Sequence, residues 1–282
     1  EKTMLTVEEN ERVTRVGPNT PAGKLFRRYW WPMCLSSELP EKDGSPLRVR
    51  LLGEDLVAYR NTDGKVGLID AYCPHRLAPM FYGRNEECGL RCVYHGWKFD
   101  ADGNCTDMAN VPAHQDFKHK VHAKAYKAAE RNGLVWVYMG ARAEAPPLPL
   151  IEATLEPEAD LEIDFIQRDC NWLQALEGDI DTSHLGFLHL GAVSKGAYGS
   201  ALDENVVANR TPEYICEETP FGTTYGAYRP SEDGNTYWRF AHFVFPFWTM
   251  PPINPFEIGM IARAWVPIDD THMMFVMLNH KD

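Results

Sequence analysis

Two short segments that each pair a cysteine with a histidine constrain this chain more than any other feature. They are Cys73-Pro-His75 and, after sixteen intervening residues, Cys92-Val-Tyr-His95. A thiol and an imidazole this close in sequence can point at one centre from a single turn, so the fold has to bring two turns face to face. The surrounding sequence has the punctuation for that. Leu47–Leu52 and Asp55–Arg60 flank Gly-Glu, Lys65–Ala71 follows Asp-Gly, and Val135–Met139 comes just after Asn-Gly. Short β-rich runs broken in this way predict small antiparallel sheets from about residue 45 to 140. Four ligands closed into one site suit two metals. Zinc takes a Cys2His2 tetrahedron, and a [2Fe–2S] cluster takes the same set when two imidazoles replace two thiolates on one iron.

Composition narrows the class without naming a reaction. A formal charge of −12 over 282 residues argues against a nucleic-acid groove or an anionic membrane surface, both of which need clustered Lys and Arg. No window approaches a membrane-spanning apolar run, and the charged N-terminus lacks a signal core, so a cytoplasmic protein is the default. Met4 reads as a native start, with Glu1–Thr3 ahead of it as residual cloning sequence. Seven irregularly spaced cysteines suggest buried thiols or metal ligands rather than disulfides. Cys34, Cys88, Cys105, Cys170 and Cys216 show no ligand-like spacing. Neither Gly-x-Gly-x-x-Gly nor a P-loop occurs, so no site for a nicotinamide, a flavin or ATP is expected.

Ala145-Pro-Pro-Leu-Pro149 marks a domain boundary near residue 145, because proline there propagates neither ladder nor helix. Beyond it, Leu161–Asp169 predicts a strand and Asn171–Leu185 a helix. Strand-like runs follow at Glu213–Glu217, Thr223–Tyr228, Thr236–Phe245, Ile258–Val266 and His272–Leu278. This order is α+β. On the helix, Leu173, Leu176 and Ile180 form an apolar stripe, with Gln174, Glu177, Asp181 and His184 on an adjacent polar one. His184 and His189 are five apart, a rotation of about 140° on a regular helix. Sharing a metal therefore requires a break, which Gly186 is placed to supply.

Ala-Tyr-Cys73-Pro-His75-Arg and Cys92-Val-Tyr-His95-Gly-Trp-Lys-Phe-Asp resemble the two cluster loops of Rieske proteins. Asn171-Trp-x-Gln-x-x-Glu-Gly-x-x-Asp181-x-x-His184-x-x-x-x-His189 resembles the catalytic helix of Rieske non-heme iron oxygenases, in particular the phthalate dioxygenase-like branch. The resemblance implies an N-terminal arm and all-β Rieske domain over residues 1–145. A helix-grip-like catalytic domain, an antiparallel sheet plus helix, would occupy 146–282. Cys73 and Cys92 would hold the inner iron of a [2Fe–2S] cluster, and His75 and His95 the outer one. Imidazole ligation raises such a cluster to about −150 to +300 mV. His184 and His189 would be two members of a 2-His-1-carboxylate triad on mononuclear Fe(II). Asp181 would bridge His184 to His95 of a neighbouring subunit in a cyclic trimer.

The family's third ligand is an Asp on a helix after the last strands. Here the sequence ends at His280-Lys281-Asp282, so that ligand is expected beyond residue 282. Asp269-Asp270 read as a turn between strands and are not assigned.

The resemblance also implies electrons from a separate NAD(P)H-dependent reductase and oxidation of an aromatic acid by O2. Ring dihydroxylation of a phthalate-like carboxylate is the leading expectation; monooxygenation or O-demethylation of a methoxylated acid is the alternative. Arg210 lies where such enzymes place a carboxylate-binding Arg, with Arg229, Arg239 and Arg263 as weaker candidates. The aromatic segment Arg239–Asn254 is expected to be mainly sheet core, with alternating members available to line a pocket. A Rieske electron carrier without catalysis and a zinc-stabilised binding module are the non-enzyme rivals.

Overall fold

The computed structural model describes residues 4–189, 205–206, 209–231, 234–252 and 261–281. Contacts divide the chain into two units. Glu1–Pro149 cluster with the turn Pro267–Asp270, and Leu150–Val266 cluster with Thr271–Asp282.

The first unit begins with two short helices, α1 (Val7–Thr14) and α2 (Pro21–Phe26), and continues as ten strands. These are β1 (Trp30–Leu35), β2 (Leu47–Leu51), β3 (Glu54–Arg60), β4 (Val66–Asp70), β5 (Arg84–Glu86), β6 (Gly89–Arg91), β7 (Trp97–Asp100), β8 (Cys105–Met108), β9 (Ala125–Arg131) and β10 (Leu134–Tyr138). They form one sheet in the order β1-β10-β9-β4-β3-β2 and a second in the order β5-β6-β7-β8. Two-residue turns set the register. Leu52-Gly53 joins β2 to β3, and Asn132-Gly133 joins β9 to β10, with positive φ at all four residues. That geometry matches the right-handed twist of a hairpin. Glu87 and Cys88 make the same turn between β5 and β6 without a glycine. This places Cys88 at a hairpin tip, where its thiol meets Asp63.

An apolar cluster forms the core around the second sheet. It includes Val57, Tyr59, Ile69, Met80, Leu90, Trp97 and Phe99, and it contains both Cys73 and Cys92. The strand leading into the first Cys/His turn is held by a buried polar knot. Glu54 accepts from Arg27 at 2.7 Å, from Lys124 at 2.5 Å and from the Tyr126 hydroxyl at 2.7 Å. Arg27 also donates to the carbonyls of Val16, Gly23 and Leu52. Lys124 reaches Asp70 at the end of β4 as well.

The second unit consists of β11 (Leu161–Arg168), α3 (Trp172–Ile180), β12 (Glu213–Thr219), β13 (Gly222–Pro230), β14 (Thr236–Val244), β15 (Trp248–Met250), β16 (Ala262–Pro267) and β17 (Met273–His280). Its strands form one antiparallel sheet, β11-β17-β16-β15-β14-β13-β12, and α3 packs on β14 and β15. Asn171 starts the helix by accepting from the Leu173 N–H, the usual N-cap arrangement. The helix is shorter than its sequence suggests, ending at Ile180 with Asp181 as the cap. Its buried residues are Trp172 and Leu176 rather than Leu173, Leu176 and Ile180. The bulk of the indole outweighs a stripe that is nearly parallel to it. Residues 258–260 of the strand expected at Ile258–Val266 lie outside the described residues. Among those described, no helix is long and apolar enough to cross a membrane.

Burial alone would raise the pKa of Glu54, but the hydrogen bonds from Lys124, Arg27 and Tyr126 outweigh it and hold the carboxyl below its ordinary value. Its contribution to stability is therefore present above the unfolded pKa of about 4.3 and is lost as pH falls through the lower folded value. Glu54→Gln strands the Arg27 guanidinium and should cost about 3–5 kcal/mol, measured by urea unfolding at pH 7. The gap to wild type should narrow as the solution is acidified.

Candidate metal centres

The two Cys/His segments fold into turns of the same backbone construction. In the first, Leu77 N–H donates to Cys73 C=O at 2.9 Å and Cys73 N–H donates to Ala78 C=O at 2.9 Å. In the second, Gly96 N–H donates to Cys92 C=O at 3.0 Å and Cys92 N–H donates to Trp97 C=O at 2.9 Å. The fourth residue after each cysteine has positive φ, +55° at Leu77 and +75° at Gly96. At Gly96 a Cβ would lie 2.9 Å from Ala109 Cβ, so space as well as conformation calls for glycine.

Between these turns the donors sort into two pairs. The Cys73 and Cys92 thiols are buried in the same apolar cluster. The His75 and His95 rings lie together, with centroids 4.5 Å apart, and both are more exposed than the thiols. Trp97 stacks on His75 at 4.2 Å and is itself held by Asn110. Among the described residues no three His, Cys, Asp or Glu side chains converge as a single metal ion requires. Separate thiol and imidazole poles match a two-iron cluster better than a zinc tetrahedron. His75 Nδ1 is buried with no hydrogen-bond partner, a costly state that ligation to the outer iron would relieve. Burial pushes the Cys73 thiol up to about 11, so binding iron there must release its proton. Burial, then His95 and then Arg76, lowers the His75 pKa, favouring the neutral imidazole that can ligate.

Arg91 braces the second turn. It donates to the Gly96 carbonyl at 2.7 Å and pairs with Glu86 at 2.5 Å and Asp107 at 2.6 Å.

In the second unit, α3 gives way after Asp181 to a 3-10 turn, Ser183–Gly186. Asp181 shapes that turn, accepting from Ser183 N–H at 2.8 Å and from His184 N–H at 3.3 Å. The same carboxylate lies 3.3 Å from His184 Nδ1, which fixes the ring and leaves Nε2 for a metal. The His184 and His189 ring centroids are 5.1 Å apart. Both rings line a cavity of about 390 Å³ together with Asp181, Thr182, Leu185, Tyr225, Phe275 and Met277. Its polar wall carries Asp179 and the guanidinium groups of Arg168, Arg239 and Arg263. The two imidazoles suit a mononuclear iron, and no third carboxylate ligand joins them among the described residues.

Both sets of residues fall within stretches of the chain that match known families. Residues 29–126 match the Rieske [2Fe-2S] domain and residues 137–282 match the LigXa C-terminal domain-like family. The chain belongs to the Rieske non-heme iron aromatic-ring oxygenases. It is 48% identical over 271 residues to the 3-chlorobenzoate-3,4-dioxygenase oxygenase subunit of Comamonas testosteroni, covering 96% of this chain and 62% of that one. It is 41% identical to the phthalate 4,5-dioxygenase oxygenase subunit of Pseudomonas putida, covering 98% and 64%. The chain thus spans slightly less than two thirds of these curated relatives. Among solved structures, dicamba monooxygenase bound to 3,6-dichlorosalicylic acid shares the fold, with a TM-score of 0.69 and 21% identity over 89% of this chain and 77% of that one.

Against this family background, several residues sit differently from their sequence expectation. Arg210 is exposed, lies over the Phe187 ring and does not line the cavity. Arg229 is buried and donates to the Asn209 carbonyl. Gly186 is not in the left-handed region, and the helix already ends at Asp181. What glycine provides there is room, since a Cβ would stand 3.2 Å from Arg210 Cβ and Cγ. Asp269 and Asp270 pair with Arg50 and Arg15. In the aromatic segment, Phe247 and Trp248 are core and Phe240 and Phe245 are exposed; the cavity takes Arg239, Pro251 and Pro252 from it. Ile253 and Asn254 lie outside the described residues. Sequence reading missed Arg168, Asp179 and Tyr225. Asp179 accepts from Thr249 at 2.7 Å and pairs with Arg263, and Tyr225 donates to the Ile180 carbonyl.

Arg91→Gln should leave the fold intact and loosen the Cys92–His95 turn. Iron and acid-labile sulfide per chain should drop below wild type, with the fall read by metal analysis alongside visible absorption.

Proposed function

We propose that the protein is the oxygenase component of a multicomponent system that oxidises an aromatic carboxylate with O2. Dihydroxylation of the ring is the favoured outcome. The observation carrying this reading is that His184 and His189 open onto a cavity of about 390 Å³, a size suited to a small ligand, with apolar walls and an arginine-bearing flank. The names of the 3-chlorobenzoate and phthalate dioxygenase relatives support the substrate class.

Ferrous iron held by His184 and His189 supplies dioxygen activation when bound. The chain's own groups set the conditions for it. Leu185, Phe275 and Met277 offer the apolar surface for a ring, and the guanidinium flank attracts the carboxylate. Asp181 holds His184 in one tautomer through Nδ1. Inserting both oxygen atoms into the ring consumes two electrons and two protons besides O2. The electrons are supplied by a separate NAD(P)H-dependent reductase and enter through the [2Fe–2S] cluster. The exposure of Asp181 supports a hydrogen bond from His95 of a second subunit, with a cyclic trimer in the cytoplasm as the proposed working unit.

Two measurements test this. O2 uptake by the full-length, metal-replete protein with a reductase should be coupled one-to-one to product for an aromatic carboxylate, and uncoupled or absent with the matching hydrocarbon. Methoxylated acids that release formaldehyde instead would place the reaction with the O-demethylases. Asp181→Asn should keep both metals and lose at least about tenfold in coupled turnover; wild-type turnover in that variant would remove Asp181 from the electron route.

A further inference from the structure

Three guanidinium groups face the cavity, and two of them have structural commitments. Arg263 is paired with Asp179, whose other oxygen takes the Thr249 hydroxyl, and that hydroxyl also receives the Trp265 indole N–H at 2.8 Å. Arg239 is nearly buried and donates to the Tyr237 hydroxyl at 3.3 Å and to the Pro252 carbonyl. These two groups hold the wall together.

Arg168, the last residue of β11, is different. Among the described residues its guanidinium meets no carboxylate and no carbonyl. Its Cζ lies 4.4 Å over the Phe275 ring and 5.6 Å over the Trp265 ring. Register explains the placement: Ile166 pairs with Phe275 and Arg168 with Met273, so Arg168 projects from the same sheet face as Phe275 and Met277, towards the cavity.

We propose that Arg168 is the anchor for the carboxylate of the aromatic substrate, held in position by Phe275 and Trp265. The inference rests on the aromatic-acid reading above and names the group that recognises the acid. A guanidinium seated over ring faces gains cation–π attraction and loses rotamer freedom before any ligand arrives. Its N–H fork remains available for a bidentate carboxylate. Because Asp179 already balances Arg263, an anion meeting Arg168 meets a guanidinium that pairs with no acid among the described residues. A neutral aromatic would cover the same guanidinium without satisfying it, which costs free energy. The cavity therefore selects a ring bearing a carboxylate at the β11 end.

The test is equilibrium binding of benzoate, 3-chlorobenzoate and benzamide to the purified metal-replete holoprotein, in wild type, Arg168→Met and Arg168→Lys. The wild type should prefer the acids to the amide. Arg168→Met should lose about tenfold to a hundredfold in affinity for the acids and keep its affinity for benzamide; Arg168→Lys should fall between, with charge retained and the fork lost. Wild-type acid binding in Arg168→Met would overturn the role of Arg168 and leave the aromatic-acid reading standing. Equal loss for acid and amide would also overturn it, assigning Arg168 to the shape of the wall. A wild type that fails to distinguish benzoate from benzamide would overturn the aromatic-acid reading itself, and this inference with it.

Discussion

Two buried cysteines share one apolar core, and the first unit is organised around them. Burial disfavours ionisation of such thiols and raises Cys73 above the ordinary thiol range. A cluster that takes them as thiolates turns an unfavourable burial into a bonded one. The two turns carrying them close with the same pair of backbone hydrogen bonds, and both bury the sulfur while the imidazole stays nearer the surface. The strands on either side keep this arrangement in place. β4 feeds the first turn from the Glu54 knot, and Arg91 at the end of β6 braces the second.

The second unit solves a different problem, bringing two histidines five residues apart to one place. A continuous helix cannot do so, and α3 is stopped where Asp181 offers the next N–H groups a carboxylate in place of helix carbonyls. That side chain then orients His184, so the group that ends the helix also sets the ring of the candidate ligand. Tyr225 pins the Ile180 carbonyl one residue earlier, and Asp179 ties the last turn of α3 to the sheet through Thr249 and Arg263. The histidine pair is thus fixed by the sheet on which the helix rests.

Legibility followed element length and alternation. β3, β11, β13, β14 and β17 are long enough for a strand pattern to show, and their bounds shift by only a residue or two. β5, β6 and β8 have three or four residues each, too few for any periodicity. β1 contains Pro32, which demotes a strand by sequence rules; the structure accommodates it beside an irregularity between Pro32 and Cys34. β9 carries Lys127, Glu130 and Arg131 and reads as polar, yet it lies between β10 and β4.

The sequence by itself determined the candidate ligand types, their spacing and the turn chemistry that presents them, because all of these act within a few residues of chain. Cys73, His75, Cys92 and His95, together with Asp181, His184 and His189, were legible as candidates for that reason. Only the tertiary structure decided which arginine is committed to an acid and which faces open space. It also decided that Gly186 makes room for Arg210, and that the cavity wall takes Arg168, Arg263, Phe275 and Met277 from β11, β16 and β17 beside Arg239, Pro251 and Pro252 of the aromatic run. Each of these depends on contacts between segments separated along the chain, Asp179 with Arg263 and Arg168 with Phe275 among them, and the side chains of one segment carry no local record of what the other places beside them.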